Sequence, residues 1–209
     1  MSGPIKINSR SQWASINPVL VAGEIGIESH IRNVKIGDGL DAWNKLPYFG
    51  CPCYWGAFWD ETSQIAAAIN TPTAIMMRES DESNYDVHVE SNSQIKVNNP
   101  GVYSITFSIQ FTNDNTAIHD INVWLRKNGT DVPASDSRFS ITAKHGGVDG
   151  NLIGTINYVV ALSANDYFQL IWATSDVNAY IHAESAQVSP FTHPSIPGII
   201  CTVVQVASA

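Results

Sequence analysis

An all-β fold, an antiparallel sandwich or barrel, is what this sequence predicts, and three observations carry that reading. Residues 102–111 alternate without a break. Tyr103, Ile105, Phe107, Ile109 and Phe111 face one way, and Val102, Ser104, Thr106, Ser108 and Gln110 the other, the period of two that a pleated strand imposes. Apolar stretches of strand length recur down the chain, bounded by Asn, Asp, Gly or Pro and with almost no helical spacing between them, which excludes a parallel βαβ architecture. Hydrophobic residues make up 44% of the 209, enough for a real core and too many for a disordered chain.

Taken in order, the first fifty residues are dense in turn signals: Asn17-Pro18, Ala22-Gly23, Gly37-Asp38-Gly39 and Leu46-Pro47. Only short apolar stretches separate them, Val19-Leu20-Val21 and Val34-Lys35-Ile36. A segment of this kind buries too little to fold alone. Residues 1–50 are therefore expected to form a small turn-rich β module, stabilised by oligomerisation or by docking on a partner.

Residues 51–209 read as a strand-built head. Residues 63–69 hold the one plausible helical turn, with Ala66-Ala67-Ala68 ahead of Pro72. The turn Asn98-Asn99-Pro100-Gly101 introduces the alternating strand. Ile121, Val123 and Leu125 alternate with Asn122, Trp124 and Arg126, after which Asn128-Gly129 predicts a type I′ hairpin turn. The sequon Asn128-Gly129-Thr130 is explained by that turn. Residues 152–162, 167–173, 179–184 and 199–206 are further strands.

Two of these strands are apolar on both faces. Phe168, Leu170 and Trp172 alternate with Ile171 and Ala173, and Ile200, Val204 and Val206 with Ile199 and Val203. A sandwich buries one face per sheet, so the second face needs a cover: a loop, or, as the favoured reading, a neighbouring subunit. Phe168, Leu170, Trp172, Tyr180, Ile200 and Val204 are the candidate interface residues.

Composition narrows the function. Charged residues are 14% of the chain, against roughly 25% in an average soluble domain. Asn, Ser and Thr number 17, 21 and 12, so amides and hydroxyls must make much of the surface. A formal charge of −8 argues against a nucleic-acid binder, which needs a cationic stripe. The charge is uneven: residues 1–50 carry five basic and four acidic side chains, residues 51–209 six and fifteen. No apolar run approaches the ~20 residues that span a bilayer, and residues 1–6 do not open the apolar stretch of about 7–15 residues expected of a secretory signal. Three cysteines, two of them in Cys51-Pro52-Cys53, predict free thiols in a protein made in a reducing cytoplasm.

Catalytic signatures are sparse. There is no nucleophile elbow, zinc helix or Walker loop, and the glycine-rich stretch from His145 to Gly150 reads as a strand connection. The histidines at 30, 88, 119, 145, 182 and 193 are solitary in sequence. His88 with Glu90 and His182 with Glu184 share strand faces, as surface strands often arrange. A ring of His182 or Tyr180 about a threefold axis is the one opening for a metal; none is assigned, and no cofactor is expected. The run from Glu79 to Glu82 reads as a solvated loop. Trp124 projects opposite the apolar face of its strand, and so is the candidate platform for a stacked ligand such as a sugar.

Two stretches carry a resemblance. Residues 13–29 and 34–48, with Gly23-Glu24-Ile25-Gly26 and Lys35-Ile36-Gly37-Asp38-Gly39 followed by Trp43 and Leu46-Pro47-Tyr48, resemble the short N-terminal module of phage tail-fibre and tropism-determinant proteins. The resemblance implies a virion-docking motif of Trp13, Gly23, Glu24, Gly26, Gly37, Asp38, Gly39, Trp43, Pro47 and Tyr48. The chain departs from the family where Lys6 to Arg10 replaces an Arg-rich lead, and at His30-Ile31. Residues 54–206 resemble the C1q/TNF-like jelly-roll heads of phage structural proteins. That likeness rests on the segments at residues 56–64, 100–110, 124–129, 162–170 and 196–206. It implies a homotrimer in the virion with a binding or structural role, not an enzyme. The expectation is a short fibre, spike or knob on tail or capsid, which decorates the particle or contacts a host glycan or protein. A secreted C1q-like adhesin or lectin, and a polysaccharide-degrading tailspike, are the competing readings.

Overall fold

The computed structural model describes residues 5–29, 33–50 and 54–208. The chain divides into two units, Met1–Cys53 with Gln205–Ser208, and Tyr54–Val204. Cys51 and Cys53 lie outside the described residues, as does His30-Ile31.

In the N-terminal unit, β1 (Lys6–Asn8) leads into the helix α1 (Arg10–Ile16), then β2 (Ile25–Glu28), β3 (Val34–Ile36) and β4 (Tyr48–Phe49). The four strands form one sheet in chain order, with β1 parallel to β2 and the other pairs antiparallel. The helix was not expected from sequence. A capping box starts it: the Gln12 N–H donates to Ser9 Oγ at 3.2 Å and the Ser9 N–H to Gln12 Oε1 at 2.9 Å. Asn17, left-handed at φ 43°, ends it. Its one buried residue is Trp13, whose ring stacks on Trp43 at 4.0 Å beside Leu20 and Leu46.

The head begins with β5 (Trp55–Asp60), β6 (Thr73–Ala74), β7 (Glu79–Ser80), β8 (Val87–Glu90), β9 (Gln94–Val97) and β10 (Gly101–Asn113). There follow β11 (His119–Lys127), β12 (Thr130–Asp131), β13 (Ser137–Ile141), β14 (Gly150–Leu162), β15 (Tyr167–Thr174), β16 (Ala179–Ile181) and β17 (Ile199–Ser208). One sheet runs β14-β10-β17-β5-β7, with β16 also on β10. The other runs β12-β11-β15-β9-β8, with β13 also on β11 and β6 on β15. The expected all-β class holds, and both head sheets pair antiparallel wherever register is defined.

The alternating strand behaves as its period requires. Tyr103, Ile105, Phe107, Ile109 and Phe111 are buried, in one core with Ile121, Val123 and Leu125 of β11, Phe168, Leu170 and Trp172 of β15, and Cys201 and Val203 of β17. Asn128 at φ 48° and Gly129 at φ 81° make the expected hairpin turn, closing β11 onto β12. Gly146 and Gly147, also at positive φ, turn the chain between His145 and Val148, which exchange backbone hydrogen bonds.

Two expectations are corrected. Residues 63–69 are not helical: Gln64 exchanges backbone hydrogen bonds with Ile181, and its side-chain amide is pinned to both backbone groups of Met76. Tertiary pairing overrides the weak alanine propensity. Phe168, Leu170 and Trp172 are not interface residues but core, each at most 1% exposed within a single chain. The other face of β15 is also covered internally, since Ile171 is 1% exposed and lies opposite Trp124.

Candidate functional site

Within the N-terminal unit, hydrogen bonds, ring stacking and tight turns account for every residue of the motif except Pro47. Gly26 lies under Trp43, where an added Cβ would fall 2.4 Å from the indole. The Trp13 indole N–H donates to Ile27 O at 2.9 Å. Glu24 accepts from Lys6 and from the Val21 N–H, which hold its carboxyl below the usual range. Asp38 accepts the N–H groups of Asp41 and Leu40 at 2.8 Å each, with the same effect. Gly23 and Gly39 supply positive φ. Lys35 is buried: its ammonium donates to Trp43 O at 2.9 Å and sits over the Trp43 and Tyr48 rings. Tyr48 donates to Glu28 at 2.7 Å, while Pro47 is exposed.

Strand registers give this sheet an unusual polarity. Lys6, Asn8, Gly26, Glu28, Lys35 and Tyr48 share the face that carries the tryptophans. Ile7, Ile25, Ile27, Val34, Ile36 and Phe49 share the other. Ile7 is 62% and Phe49 71% exposed, so the sheet turns Glu28 and Lys35 inward and an apolar face outward. An exposed face of that kind marks an interaction surface.

In the head, the outer face of the first sheet has no charged side chain across β14, β10, β17 and β5, and Glu79 of the edge strand β7 joins that face opposite Trp59. Ladder partners there are Trp59 with Ile200 and Trp55 with Val204, and Ser104 with Val159 and Gln110 with Ile153. Ile200 and Val204, two of the predicted interface residues, are 45% and 41% exposed, whereas Tyr180 is half-buried on β16. The sheet ends at β14, a 13-residue strand with neither charge nor proline, and such an edge invites further pairing.

The opposite sheet carries a groove on its outer side, about 440 Å³ in volume, around Trp124. Trp124, Asn122 and Asp120 project from β11, Arg138 from β13, and Asp136 just precedes β13. The Arg126 guanidinium donates to Asp131 at 2.7 Å and, with the Trp124 indole beside it, holds that carboxyl below the usual range. The Asn122 amide donates to Asp136 at 2.8 Å, and Ser140 to Asp120 at 2.6 Å.

The histidine pairs resolve into surface chemistry. His88 on the same strand and Lys96 across on β9 both contact Glu90 Oε1, at 3.2 and 3.1 Å, and Lys96 with Glu90 forms a cross-strand ion pair between β8 and β9. Glu184 accepts from Gln187, and His182 packs edge-on against Tyr180. Among the described residues no group of three His, Cys, Asp or Glu side chains converges. Cys201 is fully buried, and burial pushes its thiol up to about 12, so it is not a nucleophile at neutral pH. No helix among the described residues is long and apolar enough to cross a membrane. The sequence reading missed the outward apolar face of the N-terminal sheet, although its signal was present: isoleucine or valine alternating with lysine, glycine or glutamate over three short strands.

No protein-family model matches the chain, and no curated protein matches it at a significant level.

Proposed function

We propose that the chain is a non-enzymatic bacteriophage virion protein, a homotrimeric short fibre, spike or knob whose N-terminal module docks it to the particle and whose head points outward. One observation carries the reading: each unit leaves a sheet face on which exposed apolar side chains predominate, uncharged in the head across β14, β10, β17 and β5 and reached by Glu79 on the edge strand β7. These are the Ile7 and Phe49 face in the module and the Ile200 and Val204 face in the head. Core-like surface of this kind is what permanent assemblies bury.

The strand pairing supports a C1q/TNF-like jelly roll for the head. Its eight principal strands pair β5 with β17, β9 with β15, β10 with β14 and β11 with β13, all antiparallel. First meets last, and so on inward, as when a long hairpin ribbon is wrapped into two sheets. The threefold state, and the choice of a virion over a secreted adhesin, rest on the sequence resemblance.

Sedimentation velocity of the full chain tests the assembly. A species of three times 22.7 kDa is expected at micromolar concentration, and a stable monomer overturns it. Immunogold labelling of particles tests the location, and unlabelled particles overturn the virion assignment.

A further inference from the structure

The groove around Trp124 has a composition that the assembly reading does not use. From it we infer a carbohydrate-binding site that takes a neutral pyranose, with a second subsite across the same indole. The inference does not depend on the oligomeric state proposed above.

Three features select this ligand class. The first is a fixed aromatic platform. Trp124 is half-exposed on the outer face, with Asp131 beside its indole and Ile171 opposite it in the ladder. A ring already ordered loses little entropy when a sugar stacks its C–H face upon it. The second is a matched set of donors and acceptors around that ring. Asp120 and Asp136 each spend one carboxylate oxygen on a neighbour, and the other oxygen has no partner among the described residues. Arg138 is exposed and has no ion pair among the described residues. Its guanidinium and these carboxylate oxygens are the planar groups that bridge vicinal hydroxyls. The two carboxylates outweigh the one guanidinium, so an anionic sugar is disfavoured and a neutral one fits.

The third feature is size. The groove of about 440 Å³ falls within the roughly 300–1,000 Å³ of small-molecule sites. A second hollow of about 270 Å³ adjoins it, lined by Trp124, Asp131, Val132, Ala134 and Asp136. Trp124 and Asp136 belong to both, which suits two sugar units of one chain.

The test is a panel of neutral disaccharides built from glucose, galactose, mannose and N-acetylglucosamine, run beside galacturonate- and sialate-containing counterparts. Saturation-transfer NMR and calorimetry on the full chain read the binding. At least one neutral disaccharide is expected to bind, and Trp124→Ala and Arg138→Ala should each weaken it about tenfold or more, that is, by about 1.4 kcal/mol or more. Arg138 is exposed, so its loss is expected to change stability by about 0.5 kcal/mol or less, and its variant separates binding from folding. No neutral saccharide bound, binding unchanged in both variants, or binding confined to the acidic sugars would each overturn the inference. A sample that binds sugar yet sediments as a monomer would refute the trimer and leave this site standing.

Discussion

Gly37 illustrates how closely the N-terminal turns are built. Its N–H donates to Glu24 O and its carbonyl accepts from the Gly23 N–H, both at 2.8 Å, and a Cβ there would meet Val21 O at 2.4 Å. The glycines and Asp38 of this motif are legible in sequence as turn formers, and Trp13 and Trp43 through the resemblance. The burial of Lys35 is not, because nothing in a single strand tells which side its partners will cover. Two carboxylates add a pH dependence. Hydrogen bonds from Lys6 and then Val21 lower Glu24 below 4.5, and those from Asp41 and then Leu40 lower Asp38 below 3.8. A carboxyl whose folded pKa is depressed contributes stability that is complete above its unfolded pKa and is lost as pH falls through the folded one. The Trp13–Trp43 stack, followed by near-ultraviolet circular dichroism, should therefore be unchanged from pH 7 to about 5 and weaken below about 4. A stack that melts between pH 7 and 5 would assign the acid sensitivity to other groups.

Strands and helix differed in how readily they could be read. The strand at β10 was plain because ten residues alternate and one face meets a core. Helix α1 was hidden because seven residues give no helical period, and its only signal is Ser9 three residues before Gln12. Apolar character on both faces of β15 and β17 looked alike in sequence, yet the two strands differ. β15 is a central strand whose outer Ile171 is covered within the chain, while Ile200 on β17 remains 45% exposed. Residue pattern cannot separate them, since the cover comes from elsewhere in the chain. Their substitutions should therefore part company. Trp172→Ala removes a buried indole and should cost about 3–5 kcal/mol of folding stability. Ile200→Lys alters an exposed site and should change that stability by about 0.5 kcal/mol or less, while abolishing the proposed trimer by placing a charge in its proposed apolar contact. Urea denaturation and sedimentation measured on both variants decide it. A trimer that survives Ile200→Lys would remove the outer face of β17 from the assembly.

At the scale of the whole molecule, the proposed contacts and the net charge oppose each other. The outward faces of β14, β10, β17 and β5 and of the N-terminal sheet hold no ion pairs to break, whereas residues 51–209 carry fifteen acidic side chains against six basic. Like-charged heads brought together repel, and the repulsion is felt most when the Debye length is long, roughly 30 Å at 0.01 M salt and 10 Å at 0.1 M. Salt thus relieves the one unfavourable electrostatic effect and leaves the apolar contact intact, or strengthens it if the anion is excluded from the surface. The trimer dissociation constant, measured by sedimentation equilibrium, is expected to fall by about twofold or more between 0.02 and 0.5 M sodium chloride. An interface held by salt bridges would respond in the opposite sense, weakening as salt rises. Dissociation at high salt would accordingly place the subunit contact on the charged loops, at the acidic turn of Asp81 or the ion pair of Lys144 with Asp149, and remove the uncharged sheet faces from it.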